Sequence, residues 1–142
     1  MKISTAVNSS LLSIKQGFNS DLFLKLNPPF PPVKLNEFGG CQAGDRVSLT
    51  LNFILFKQKW ISDIIENGES KRDWHFVDQG TTLPFFLKHW KHRHVVKDEN
   101  DKRIIIDDID FSTGSILGNL IMYPILYLQF LYRKPIYKSV FS

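Results

Sequence analysis

Residues 113–132, TGSILGNLIMYPILYLQFLY, carry no charge and are closed by Arg133 and Lys134. A run of about 18 or more apolar residues is a membrane-span candidate. Here Gly118, Asn119, Pro124 and Gln129 interrupt it, and Pro124 removes a backbone hydrogen bond from any helix that contains it. The tail that follows, RKPIYKSVFS, is short and alternates basic with apolar residues. Upstream, the chain reads as short strands that need a cover, and this stretch is the long apolar segment able to supply one. It therefore reads as a helix over 115–132, with Thr113 as its cap, packed on a sheet; the alternative is a tail anchor. A helix apolar on every side lies either in a core or in lipid. One flank is expected against the sheet, and the other against a ligand, a second subunit or a membrane surface.

A chain of 142 residues is of one-domain size, so residues 1–142 are expected to form a single domain. Hydrophobic content of 43% and charged content of 23% suit a soluble protein. A net charge of +4 without a clustered basic stripe argues against nucleic acid as a partner. The lone Cys41 excludes an internal disulfide, and MKISTAVNSS lacks the apolar core of a secretion signal. A cytoplasmic location is expected, with the chain as monomer or homodimer.

Lys2 to Val7 alternates and reads as a first strand. Asn8, Ser9 and Ser10 offer caps for Leu11, Leu12, Ile14 and Phe18 at helical spacing. Phe23, Leu24 and Leu26 continue after a break, giving two short helices or one bent helix that ends before Asn27. NPPFPP cannot be helical and holds an extended path. Val33 to Phe38 is a strand ended by Gly39 and Gly40. Val47, Leu49, Leu51, Phe53 and Leu55 alternate with Ser48, Thr50 and Asn52 as a half-buried strand. Gln58 to Glu66 forms a further strand, followed by a hairpin turn at Asn67–Gly68. Lys71 to Gln79, Phe86 to Val96 and Arg103 to Phe111 complete the strands, with a loop over Gly80 to Pro84. Tight turns make successive strands antiparallel, and a strand run followed by a helix gives an α+β class.

The ordered series FNSDLFLKLNPPF, KWISDI, FVDQG, PFFLKHWKHRH, DDIDF and FLYR resembles the ligand-binding branch of the START-like, or SRPBCC, superfamily. The matching positions are Trp60, Phe76, Asp78, Gln79, Pro84, Phe85, Trp90, His92, His94, Asp107, Asp108, Tyr132 and Arg133, spread over nearly the whole chain. Thr81, Thr82 and Leu83 depart from the pattern by lengthening the segment before Pro84. The resemblance implies a helix-grip fold, in which about seven curved strands grip the C-terminal helix around a hydrophobic cavity and two short helices follow the first strand. Lipid carriers, polyketide binders and aromatase/cyclases share that fold, so it implies a pocket rather than a reaction.

His92 and His94 lie two apart on a strand, about 7 Å along it, and share a face with Trp90. They suit polar anchoring of a ligand, acid–base work, or metal binding completed by Asp78, Asp108 or His75. Their plain structural role is as satisfied or solvent-facing histidines. His89 has the opposite parity. Asp107 and Asp108 point to opposite faces and are expected to form salt bridges with Arg93 or Arg103. Aromatic walls with a few polar groups describe a small-molecule pocket. The expected ligand-lining set is Phe53, Trp60, Phe76, Trp90, His92 and His94 from the sheet, with Leu120, Tyr123 and Tyr127 from the helix. No residue is assigned a catalytic or metal-binding role, and no cofactor is expected. The expected partner is a small hydrophobic molecule. A cyclase or hydrolase using His92 and His94 is the first alternative, and a membrane- or partner-docking module acting through the apolar helix is the second.

Overall fold

The computed structural model describes residues 1–142. Strand β1 (Lys2–Val7) leads into α1 (Leu11–Gly17) and α2 (Ser20–Leu26). The Ser10 side chain accepts the Ser13 N–H at 3.1 Å, and Asn19 Oδ1 accepts the Leu22 N–H at 3.0 Å. Each thereby satisfies one of the unpaired amides at a helix start. Strands β2 (Val33–Phe38), β3 (Arg46–Asn52), β4 (Lys57–Glu69), β5 (Asp73–Thr82), β6 (His89–Glu99) and β7 (Lys102–Ser112) follow, then α3 (Ile116–Leu131) and α4 (Arg133–Val140). The strands form one antiparallel sheet in the order β1-β7-β6-β5-β4-β3-β2. The sheet curls around α3 in a helix-grip arrangement.

Several local expectations change. The hairpin between β4 and β5 turns at Ser70–Arg72, where the Ser70 N–H bonds Asp73 O at 2.9 Å; Asn67 and Gly68 lie inside β4. Their turn chemistry serves other ends there. Asn67 Oδ1 accepts the Ala43 N–H at 2.8 Å, and a Cβ on Gly68 would stand 2.8 Å from His75 Cε1. Thr81 and Thr82 extend β5 rather than a loop, and β6 starts at His89. The β3 alternation stops at Asn52, so Leu55 sits at a loop tip with 92% of its surface exposed. The cap of α3 is Ser115, which accepts the Gly118 N–H at 3.0 Å; the Thr113 hydroxyl instead meets Asn119 Oδ1 at 2.9 Å.

Two apolar clusters form the core. One gathers Ile14, Leu22 and Leu26 of the short helices with Trp74, Phe76, Val96 and Ile105 of the sheet, closed by Tyr137 of α4 and by Phe141. Leu126 and Phe130 of α3 pack with Ile3, Leu87, Trp90 and Ile109 in the other. These are the only two buried residues of α3. One flank of the helix meets the sheet, with Met122 and Leu131 packed beside the two buried residues, and Leu117, Leu120, Ile121 and Leu128 are exposed.

Candidate functional site

The burial alternation of β6 puts Trp90, His92, His94 and Val96 on the inner face. Asp78 of β5 and Asp107 of β7 share that face by the same two-residue period. In the register, Asp78 lies opposite His92, and Asp107 lies opposite His94. The hydrogen bonds run diagonally instead. His92 Nε2 lies 2.9 Å from Asp107 Oδ1, and His94 Nε2 lies 2.9 Å from Asp78 Oδ2. The carboxylates can only accept, so both Nε2 atoms carry the protons. Asp78 Oδ1 also accepts from Trp90 Nε1 at 3.2 Å. From the helical side, Arg133 Nη1 and the Tyr137 hydroxyl each approach Asp107 Oδ1 at 3.5 Å. Arg133 lies over the Phe130 ring at 4.2 Å. His94 stacks on Phe76 at 4.1 Å, while His92 meets Phe130 edge-on at 5.2 Å. The polar cluster thus bridges the two apolar cores.

Its electrostatics follow from burial and charge count. Burial alone would raise the Asp107 carboxyl, but the His92 hydrogen bond and the Arg133 guanidinium bring it down to about 2. Burial opposes ionisation of Asp78 likewise, and its bond from His94 with the nearby His92 charge lowers it below the ordinary range. Burial first, and the neighbouring His92 charge second, pull His94 down to about 4. Burial pushes the Tyr137 phenol up, helped by the Asp107 charge. Two carboxylates against one guanidinium leave the cluster with an excess of negative charge. His94 Nδ1 is buried without a hydrogen-bond partner, 3.7 Å from Asp107 Oδ1.

Asp78, His92 and His94 each offer one ligand atom within 4.8 Å of the others. However, the two imidazoles stack with centroids 3.6 Å apart and planes 33° from parallel. Both Nε2 atoms already meet carboxylate oxygens, so the cluster as arranged holds protons between imidazole and carboxylate.

A cavity of about 370 Å³ opens beside this cluster, and 21 of its 32 lining residues are hydrophobic. Of the residues named from the sequence, Phe53, Trp60, Phe76, Trp90, His92 and His94 line it. Leu120, Tyr123 and Tyr127 do not; they are 67%, 47% and 39% exposed. The cause is the rotation of α3. Met122, Leu126 and Gln129, followed by Arg133, repeat at helical spacing and face the sheet, whereas Tyr123 and Tyr127 stack on each other outside. Asp107 does not pair with Arg93 or Arg103: it takes His92 and Arg133, while Asp108 lies 3.9 Å from Lys2 Nζ. His75 and His89 fall on the other face, with Glu66 and Asp110. Cys41 also lines the cavity, unremarked in the sequence; burial, aided by Asp45 and Asp78, pushes its thiol up to about 12. The shared parity of Asp78 with Phe76, and of Asp107 with Ile105 and Ile109, is the signal that marks both carboxylates as inward-facing.

No family profile and no curated protein matches the sequence. Solved structures do resemble the fold. The ginseng major latex-like protein 151 from Panax ginseng superposes with a TM-score of 0.55 at 12% identity, covering 94% of this chain and 95% of that one. Truncated norcoclaurine synthase from Thalictrum flavum gives 0.60 at 11% identity, over 92% and 87%. The Zhui aromatase/cyclase from Streptomyces gives 0.61 at 11% identity, over 95% and 88%. Identities this low speak for architecture alone: the chain shares the helix-grip fold of these structures.

Proposed function

We propose that the chain binds a small, mostly apolar molecule with one polar end, in the cavity between the sheet and α3, without transforming it. The observation that carries this reading is the cavity of about 370 Å³, with apolar walls and its ionisable groups gathered around Asp78, His92, His94 and Arg133. Its size falls in the usual range for ligand pockets, ~300–1,000 Å³. Each 100 Å² of ligand surface taken from water there contributes about 2.5 kcal/mol, against an association cost of ~4 kcal/mol or more. The Asp78 carboxylate retains acceptor capacity beyond its bonds to Trp90 and His94, so a ligand hydroxyl or amine finds a partner at that end. Native mass spectrometry of the purified protein, mixed with lipid or polyketide extracts, tests the reading. Retained small-molecule mass that disappears in a cavity-filling Met122→Trp variant supports it. A protein that takes up no apolar compound from any extract refutes it.

One observation favours a second reading, proton-transfer catalysis on a polyketide-like substrate. The His94–Asp78 pair stands in the cavity wall beside His92, whose carboxylate partner Asp107 lies behind it, and His94 Nδ1 lacks a partner. The names of two structural neighbours, a synthase and an aromatase/cyclase, keep the same reading in play. A double substitution, His92→Ala with His94→Ala, separates the two. Binding that persists while turnover stops supports catalysis; absence of turnover in the unmodified protein leaves the binding role.

A further inference from the structure

The antiparallel order sends one set of chain segments to the same end of the sheet. The starts of β2, β4 and β6 and the ends of β3, β5 and β7 all lie there, and α3 begins there. This end carries the four most exposed large apolar side chains, Leu55, Ile116, Ile54 and Leu117, with Phe85 beside them. Ile54 and Leu55 at the β3–β4 tip are 81% and 92% exposed, Phe85 is 65%, and Ile116 and Leu117 at the start of α3 are 82% and 69%. Phe30, Phe53, Phe56, Phe85 and Phe86 link these tips through ring contacts of 5.2 to 6.4 Å. The patch around Phe30, Phe53, Phe56, Phe85 and Phe86 is therefore contiguous rather than scattered, with the α3 start exposed at the same end, and such a patch marks an interaction surface. Phe30, an exposed apolar member of the cavity lining, belongs to the same end.

Charge identifies the occupant. The chain has 14 acidic residues, and none falls within residues 27–34, 53–60, 80–91 or 113–135. Lys34, Lys57, Lys59, Lys88 and Lys91 do, and all five are exposed. Asp45, Glu69, Asp73, Asp98, Glu99 and Asp101 sit in or beside the turns of the opposite end. Asp110, near the end of β7, faces the His89 ring at 3.2 Å. A second copy of the chain fits this surface poorly, because a two-fold interface would set the same lysines against each other. We infer that this end of the molecule docks on an anionic lipid bilayer, with Leu55 and Leu117 entering the interface and Lys57 and Lys88 meeting the headgroups. The cavity then opens toward lipid. That loading route rests on the proposed ligand binding; the docking surface does not.

The test is flotation of the full chain with vesicles of phosphatidylcholine, alone or mixed with phosphatidylserine. The protein should float with the mixed vesicles at low salt, and less with phosphatidylcholine or at high salt. Leu55→Asp combined with Leu117→Asp should abolish flotation while circular dichroism stays unchanged. Lys57→Gln with Lys88→Gln should weaken it roughly thirtyfold, the equivalent of about 1 kcal/mol for each lysine. Three results would overturn the inference: no flotation at low salt, flotation indifferent to the aspartates, or a solution dimer that the aspartates dissociate. A dansylated fatty acid added without vesicles, read by energy transfer from Trp60 and Trp90, judges the cavity separately. A protein that floats but takes up no probe keeps the docking surface and loses the ligand-binding reading; the reverse pattern does the opposite.

Discussion

Acidification of the folded protein should expose the cost of keeping His94 neutral. Burial and the His92 charge hold its pKa at about 4, against 6.5 for an ordinary imidazole. Between these values the unfolded chain binds a proton that the folded chain refuses, so stability falls as pH falls. The difference corresponds to about 3 kcal/mol, present in full above pH 6.5 and lost by about pH 4. That is a large share of a typical domain stability of ~5–15 kcal/mol. Asp107 acts in a lower window: its carboxyl, at about 2 rather than 3.8, contributes a further ~2 kcal/mol that disappears only as pH drops below about 4. Urea unfolding at a series of pH values measures both. His94→Gln keeps an amide able to donate to Asp78 but cannot titrate. It should be less stable at pH 7, through its lost stacking on Phe76, yet its stability should fall less between pH 7 and 4. If the unmodified protein and His94→Gln lose equal free energy over that interval, the imidazole takes up its proton in the folded state, and the account of the buried cluster is wrong.

Phe130→Ala should destabilise by ~3–5 kcal/mol, since the ring is buried and touches both His92 and Trp90; thermal melts check this. Ser115→Ala should cost about 1 kcal/mol through loss of the α3 cap, read as a lowered urea midpoint. The Cys41 thiol, pushed up to about 12, should react with a chromogenic disulfide at pH 8 roughly a thousandfold more slowly in the folded protein than in urea. Equal rates would place Cys41 in solvent rather than at the cavity wall.

Local composition and period settled much of the architecture. Ser10 announces the first short helix, and the alternation of β6 puts Trp90, His92 and His94 on one face because a strand has a period of two. Turn chemistry misled at Asn67–Gly68, where the close approach of His75 requires a glycine and the Ala43 amide takes the asparagine. At Thr113, a hydroxyl competent to cap is drawn instead to Asn119, and Ser115 starts the helix. At Asn67 a contact distant in the chain outweighed the local preference; at Thr113 one local contact displaced another.

The diagonal pairing of His92 with Asp107 and of His94 with Asp78 could not be read from the chain, because cross-strand register depends on every bulge and turn between β5 and β7. Nor could the rotation of α3. Its residues are apolar on every side, so hydropathy alone cannot choose which stripe faces the sheet, and Leu120, Tyr123 and Tyr127 lie outside where Met122, Leu126 and Gln129 lie inside. Periodicity along a chain selects elements and their faces. Which faces meet, and whether space remains between them, is decided when side chains from distant segments compete for the same volume.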